Sequence, residues 1–163
     1  ALVRVDPQRA EAVLEDLAQL FRVALADAGT SVSLDEEIDL AQRYLAIEQI
    51  RYGQRLQLSW DIDARVGVAR VPPLVLQPLV ENAVRHGIEP SQQGGRIWVQ
   101  AAVRRGSAVI LVSNTVPEAP STPGHGIALR NVRERLRLLH DVAGSFDVWR
   151  DGDVFCARIT VPL

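Results

Sequence analysis

The 163 residues include 18 arginines, no lysine, no methionine and one cysteine, with 47% hydrophobic and 23% charged side chains and a net charge of −2. That suits one domain with a full core, and it argues against wholesale disorder and against charge-driven binding to nucleic acid or anionic membrane. Without lysine there is no P-loop lysine and no Schiff base, so phosphate binding must use arginine, histidine, backbone N–H groups or a metal.

In chain order, Asp6-Pro7 reads as a helix start, and apolar residues at Val13, Leu14, Leu17, Leu20, Phe21, Ala24 and Leu25 predict a helix ended by Gly29. Ser33 and Glu36 form a capping box for a second helix reaching about Tyr52, with Ile38, Ala41 and Leu45 on one stripe and Leu40, Tyr44 and Ile47 beside it. LQLSWDI (Leu56–Ile62) alternates as a half-buried strand. Arg70–Pro73 reads as a loop, and a third helix follows to His86, with Pro78 either in its first turn or bending it. Gly95–Arg104 and Ala108–Ser113 read as strands joined at Arg105-Gly106-Ser107, and the proline-rich Thr115–Gly124 as a loop. A fourth helix from Gly126 to about Asp141 buries Leu129, Val132, Leu136 and Leu139. Gly144–Arg150 and Val154–Val161 make a closing hairpin. This order predicts an α+β two-layer sandwich with a mostly antiparallel sheet.

Two stretches carry candidate chemistry. In LQPLVENAVRHG, Asn82, Arg85 and His86 share one helical face, where an amide oxygen, a guanidinium and an imidazole suit a metal-bound polyphosphate. The same three residues also fit a plain polar patch on an amphipathic helix. In PGHGIALRNVRERL, a glycine-flanked helix start offers free backbone N–H groups to an anion. Arg130, Arg133 and Arg137 read as a solvated face rather than a DNA-reading one. His86, His125, His140 and Cys156 lack zinc-like spacing. Trp60, Trp98 and Trp149 are expected to pack in the core or on a sheet face.

Taken together, PPLVLQPLVENAVRHGIEP resembles the N-box of LytS-type sensor histidine kinases, and GHGIALRNVRERL resembles their second glycine box. YLAIEQIRYGQRL matches the segment those kinases carry just before the ATPase sheet, and VSNTVPE looks closest to the AlgZ/FimS branch. The resemblance implies the Bergerat (GHKL) ATPase fold, a mixed five-stranded sheet with helices on one face, with Thr115–Gly124 as the ATP lid. It implies ATP and Mg²⁺ as cofactors. Asn82 would bind Mg²⁺, Glu81 and Asn82 would be catalytic, and Arg85 and His86 would lie near the phosphates. Gly124, Gly126, Ile127, Ala128 and Leu129 would cradle phosphate, and Asn114 would face adenine.

Four positions depart from the family pattern. Asn114 replaces the usual adenine-binding aspartate, Val116 and Ala128 each a glycine, and Phe155 a threonine that lines the pocket. A degenerate module that binds without catalysing is therefore the alternative reading. The water-activating glutamate of GHKL ATPases would fall at Pro78, which disfavours a stand-alone ATPase. No N-P-H-F-L-F-N type acceptor motif occurs. Residues 1–30 are thus expected to be the remnant of a dimerisation hairpin, and 31–163 the catalytic domain. The expected whole is a cytoplasmic, homodimeric kinase portion, membrane-anchored only through segments outside this chain. It would pass phosphate to a LytTR-type response regulator.

Overall fold

The structure is a computed structural model that describes residues 30–117 and 126–163. The helix expected over Pro7–Ala28 and the tip of the expected lid lie outside these residues.

The chain enters through a two-residue strand β1 (Val32–Ser33) and turns into helix α1 (Leu34–Tyr52). The expected capping box is present: the Ser33 side chain accepts from the Glu36 N–H, and the Glu36 carboxylate accepts from the Ser33 N–H at 2.8 Å. Strand β2 (Leu56–Ile62) follows, then a short β3 (Arg70–Val71). Expected as loop, β3 instead pairs antiparallel with β1, because the chain on either side of α1 meets there. Helix α2 (Gln77–Gly87) starts later than its sequence suggests, and Pro78 sits in its first turn, where the missing N–H removes no helical hydrogen bond.

Strands β4 (Gly95–Arg104) and β5 (Ser107–Thr115) form a hairpin, helix α3 runs Gly126–His140, and β6 (Ser145–Asp151) and β7 (Val154–Pro162) close the chain. The β4–β5 turn is tight because Arg105 (φ 51°) and Gly106 (φ 78°) both take left-handed backbone, the twist a two-residue hairpin prefers. Strand β5 outruns its expected span because Asn114 and Thr115 still pair with Phe155 and Val154.

The five-stranded sheet has the order β2-β4-β5-β7-β6, with β2 parallel to β4 and the other pairs antiparallel. Its register puts Ile97, Val99 and Ala101 beside Ile110 and Val112, then Ala157 and Ile159, all buried on one side. That surface meets the apolar stripes of α1 (Leu34, Ile38, Ala41, Leu45), α2 (Leu79, Val80, Ala83, Val84) and α3 (Leu129, Val132, Leu136). The mixed, mostly antiparallel α+β sandwich is therefore present, with one correction in each flanking helix. Leu139 is half-buried rather than buried, and Leu40 and Ile47 of the second α1 stripe are exposed.

Trp60 packs against the core, whereas Trp98 and Trp149 lie on the opposite sheet face under Arg96 and Arg158, 5.6 and 5.2 Å from the ring centres. No helix among the described residues is long and apolar enough to cross a membrane.

Candidate nucleotide site

Helix α2 brings the polar candidates together. Its buried side fixes the helix on the sheet, which leaves Asn82 and His86 half-buried and Arg85 exposed along the other side. Glu81 is half-buried, and its Oε1 accepts from Gln77 Nε2 at 2.9 Å, one turn back. Adjacent residues diverge by about 100° around a helix, so Glu81 and Asn82 do not face the same point.

The end of α2 sits directly on β5. A Cβ added to Gly87 would stand 2.6 Å from the Thr115 carbonyl oxygen and 2.8 Å from Asn114 Nδ2. Only glycine permits this approach, and it seats the Arg85–Gly87 end of the helix against Asn114. The Asn114 side chain is 1% exposed, and its Nδ2 donates to the Thr115 carbonyl at 2.9 Å. Phe155 pairs with Asn114 across β5 and β7, so two of the residues that depart from the family pattern are neighbours on one face. Val116 continues the edge, its N–H donating to the Asp153 carbonyl at 2.7 Å.

Helix α3 opens at Gly126, so the amides of Gly126, Ile127 and Ala128 have no intrahelical acceptor, whereas the Leu129 amide is the first one in reach of an intrahelical carbonyl. Leu129, expected to help cradle phosphate, instead turns its side chain into the core. Gly124 lies outside the described residues. Arg130, Arg133 and Arg137 are exposed, and Arg133 donates to the Phe146 carbonyl at 3.3 Å.

The donor set fits a nucleotide carrying Mg²⁺. Asn82 offers one neutral oxygen beside Arg85 and His86, and Mg²⁺ commonly takes one or two protein oxygens and completes its shell with phosphate and water. Bound there, the ion would neutralise phosphate charge.

Asn114 supports a specific expectation. Asn114→Asp would set a carboxylate oxygen where Nδ2 now donates, facing the Thr115 carbonyl, and bury an unsatisfied acceptor. Unfolding in denaturant is expected to show a loss of about 1–3 kcal/mol.

Two further residues of consequence escaped the motif reading. Glu37 lies on the buried stripe of α1 and is 4% exposed. Its Oε1 accepts from the Leu74 N–H at 2.6 Å and its Oε2 from the Leu76 N–H at 3.0 Å. From α3, half-buried Arg135 donates to the carbonyl of Pro73. The sequence signal was a charge at a core position, three residues after Leu34 and four before Ala41.

Burial pushes the Glu37 carboxyl above its ordinary 4.5, against the pull of the Leu74–Leu76 amides and of Arg135. Burial likewise lowers Arg135, and Glu37 opposes that. A raised folded-state pKa adds stability that is full below about 4.5 and lost as pH rises through the folded value. The stability of the wild type relative to Glu37→Gln should therefore grow as pH is lowered from 7 towards 4.5, measured by denaturant unfolding at each pH. The opposite slope would contradict this assignment.

The fold is shared with known proteins. Nucleotide-free ThkA catalytic domain, a histidine kinase, superposes with a TM-score of 0.62 at 18% identity, covering 82% of this chain and 96% of that one. ThkA in complex with response regulator protein TrrA gives 0.59 at 16% identity, covering 99% and 49%. Full-length ShkA in complex with AMPPNP gives 0.65 at 17% identity, covering 95% and 36%. The architecture is thus that of the GHKL catalytic domain of histidine kinases.

In sequence, a family model described as histidine kinase matches residues 1–56. Sensor protein LytS of Staphylococcus saprophyticus is 33% identical over 99% of this chain and 30% of its own length. The chain is thus similar over nearly its whole length to a sensor protein of the LytS type, and it spans less than a third of that relative.

Proposed function

We propose that this chain is the ATP-binding catalytic portion of a two-component sensor histidine kinase. The observation that carries the reading is the seating of Gly87 on Asn114 and Thr115, which joins the polar end of α2 to the strand end where the family binds adenine. Asn82 would hold Mg²⁺ through its amide oxygen, Arg85 and His86 would meet the phosphates, and the opening amides of α3 would take their remaining charge. The AMPPNP complex of ShkA supports the nucleotide class. In the whole protein a histidine ring nitrogen would attack the γ-phosphorus. The bond to the β-phosphate oxygen breaks, ADP leaves, and the ring proton passes to solvent or a base. Pro78, one turn before Asn82, has no group to activate water, which favours transfer over hydrolysis.

Residues 1–30 would be the remnant of the dimerisation hairpin, and 31–163 the catalytic domain of a homodimer on the cytoplasmic side of a membrane-anchored sensor. The recipient would be a response regulator, as in the complex of ThkA with TrrA, and here of LytTR type by the family resemblance. Calorimetric titration with ADP and AMPPNP, with and without Mg²⁺, tests the reading; absence of saturable Mg²⁺-dependent binding would sink it. The second reading, a degenerate module that binds without catalysing, is favoured by the occupied Asn114 Nδ2 and the adjacent Phe155. Autophosphorylation of a longer chain that retains the acceptor histidine, lost on Asn82→Ala, would exclude it.

A further inference from the structure

The segment that leads into α2 is held from two other helices. Leu76 is the N-cap of α2 and supplies no side-chain cap of its own. Leu74, two residues earlier, takes a left-handed backbone (φ 58°), a conformation a leucine adopts only under constraint. The constraint is visible: both Glu37 oxygens accept from this segment, one from Leu74 and one from Leu76. A carboxyl supplied by α1 thus takes the place of a cap at the positive end of α2. On the other side of the same Pro73–Leu74 peptide group, Arg135 of α3 bonds the Pro73 carbonyl, and at the end of α3 a ring nitrogen of His140 lies 2.7 Å from the Arg70 carbonyl. Arg135 and Glu37 also attract each other as opposite charges.

We propose that Glu37 and Arg135 are positioning residues of the nucleotide site. They clamp the entry to α2 between α1 and α3 and so fix the helix bearing Asn82, Arg85 and His86 relative to the helix that follows the lid. Neither side chain is needed to touch nucleotide. The clamp rests on the nucleotide reading above for its consequence, but its mechanics can be measured separately. Glu37→Gln keeps the size of the side chain and turns one acceptor into an NH₂ that opposes a backbone N–H. Arg135→Gln removes the guanidinium and leaves the Glu37 bonds in place.

The test uses the full chain, with ADP and Mg²⁺ titrated at a temperature where each variant is folded by circular dichroism. Amide hydrogen exchange of residues 74–80 is followed alongside. Glu37→Gln is expected to speed exchange at Leu74 and Leu76 and to weaken ADP–Mg²⁺ binding by about 10-fold, the low end for partners that orient a site from behind. Arg135→Gln should weaken binding by a smaller factor, Arg135→Lys should recover part of it, and the double variant should bind no worse than Glu37→Gln alone. Both single variants binding ADP as tightly as wild type, with exchange accelerated, would overturn the proposal and leave the clamp a purely structural feature. If Glu37→Gln does not fold, Arg135→Gln and Arg135→Lys decide the matter, and unchanged affinity in Arg135→Gln overturns the proposal. A wild type that binds no ADP would sink the nucleotide reading itself, and the proposal with it. That result is distinct from a wild type that binds and variants that do not differ.

Discussion

Asn82→Ala is expected to erase the magnesium dependence of nucleotide binding while leaving the domain folded. Asn82 is half-buried on the polar side of α2, opposite the Leu79, Val80, Ala83 and Val84 stripe, so its removal opens no core cavity and alanine favours the helix. What is lost is a neutral oxygen that a divalent ion needs in order to be shared between protein and phosphate. Calorimetry should show ADP affinity in Mg²⁺ falling by roughly 10- to 100-fold, the scale on which metal sites respond to loss of ordered ligation. The ratio of affinities with and without Mg²⁺ should approach one. A variant that keeps the full wild-type ratio would show that the ion, if it binds, is held elsewhere.

Gly87→Ala is expected to destabilise the domain even though the position is helical. In a helix the change from glycine to alanine ordinarily gains up to about 1 kcal/mol. Here the new Cβ would stand 2.6 Å from the Thr115 carbonyl oxygen, which belongs to a strand paired on both sides and cannot yield cheaply. The helix must lift from the sheet instead, and overpacking of this kind typically costs about 1–3 kcal/mol. A net loss of about 2 kcal/mol should lower the midpoint of thermal unfolding by roughly 4–8 °C in a chain of this size. Lifting α2 also moves Arg85 and His86, so ADP affinity should fall with it.

Gly106→Ala is the control. Its Cβ would meet nothing within 4 Å, so it carries only the left-handed strain at φ 78° and should leave affinity untouched. Equal affinity losses in both variants would show that Gly87 has no special connection to the site.

Local features were legible wherever neighbouring residues suffice to decide them. Ser33 and Glu36 announced the start of α1 because a capping box closes within four residues, and Leu56–Ile62 announced β2 by its alternation. Arg105-Gly106 marked a turn because its partners adjoin it. Boundaries slipped where the deciding partner is distant. Strand β5 extends through Asn114 and Thr115 because β7 reaches them some forty residues later in the chain. Strand β3 exists only because Val32 and Ser33 lie beside it.

The candidate site divides in the same way. The common face of Asn82, Arg85 and His86 follows from helical spacing, so the chain's own order determined it. The resemblance to LytS-type sensor histidine kinases likewise lay in three ordered blocks of sequence. Tertiary structure alone decided what those blocks rest on. Nothing local to Gly87 says that a carbonyl oxygen waits above it, and nothing local to Glu37 says that its carboxyl caps a helix 39 residues further on. Burial makes such a carboxyl costly unless backbone donors reach it, and only the folded chain brings Leu74, Leu76 and Arg135 to the place where that condition is met.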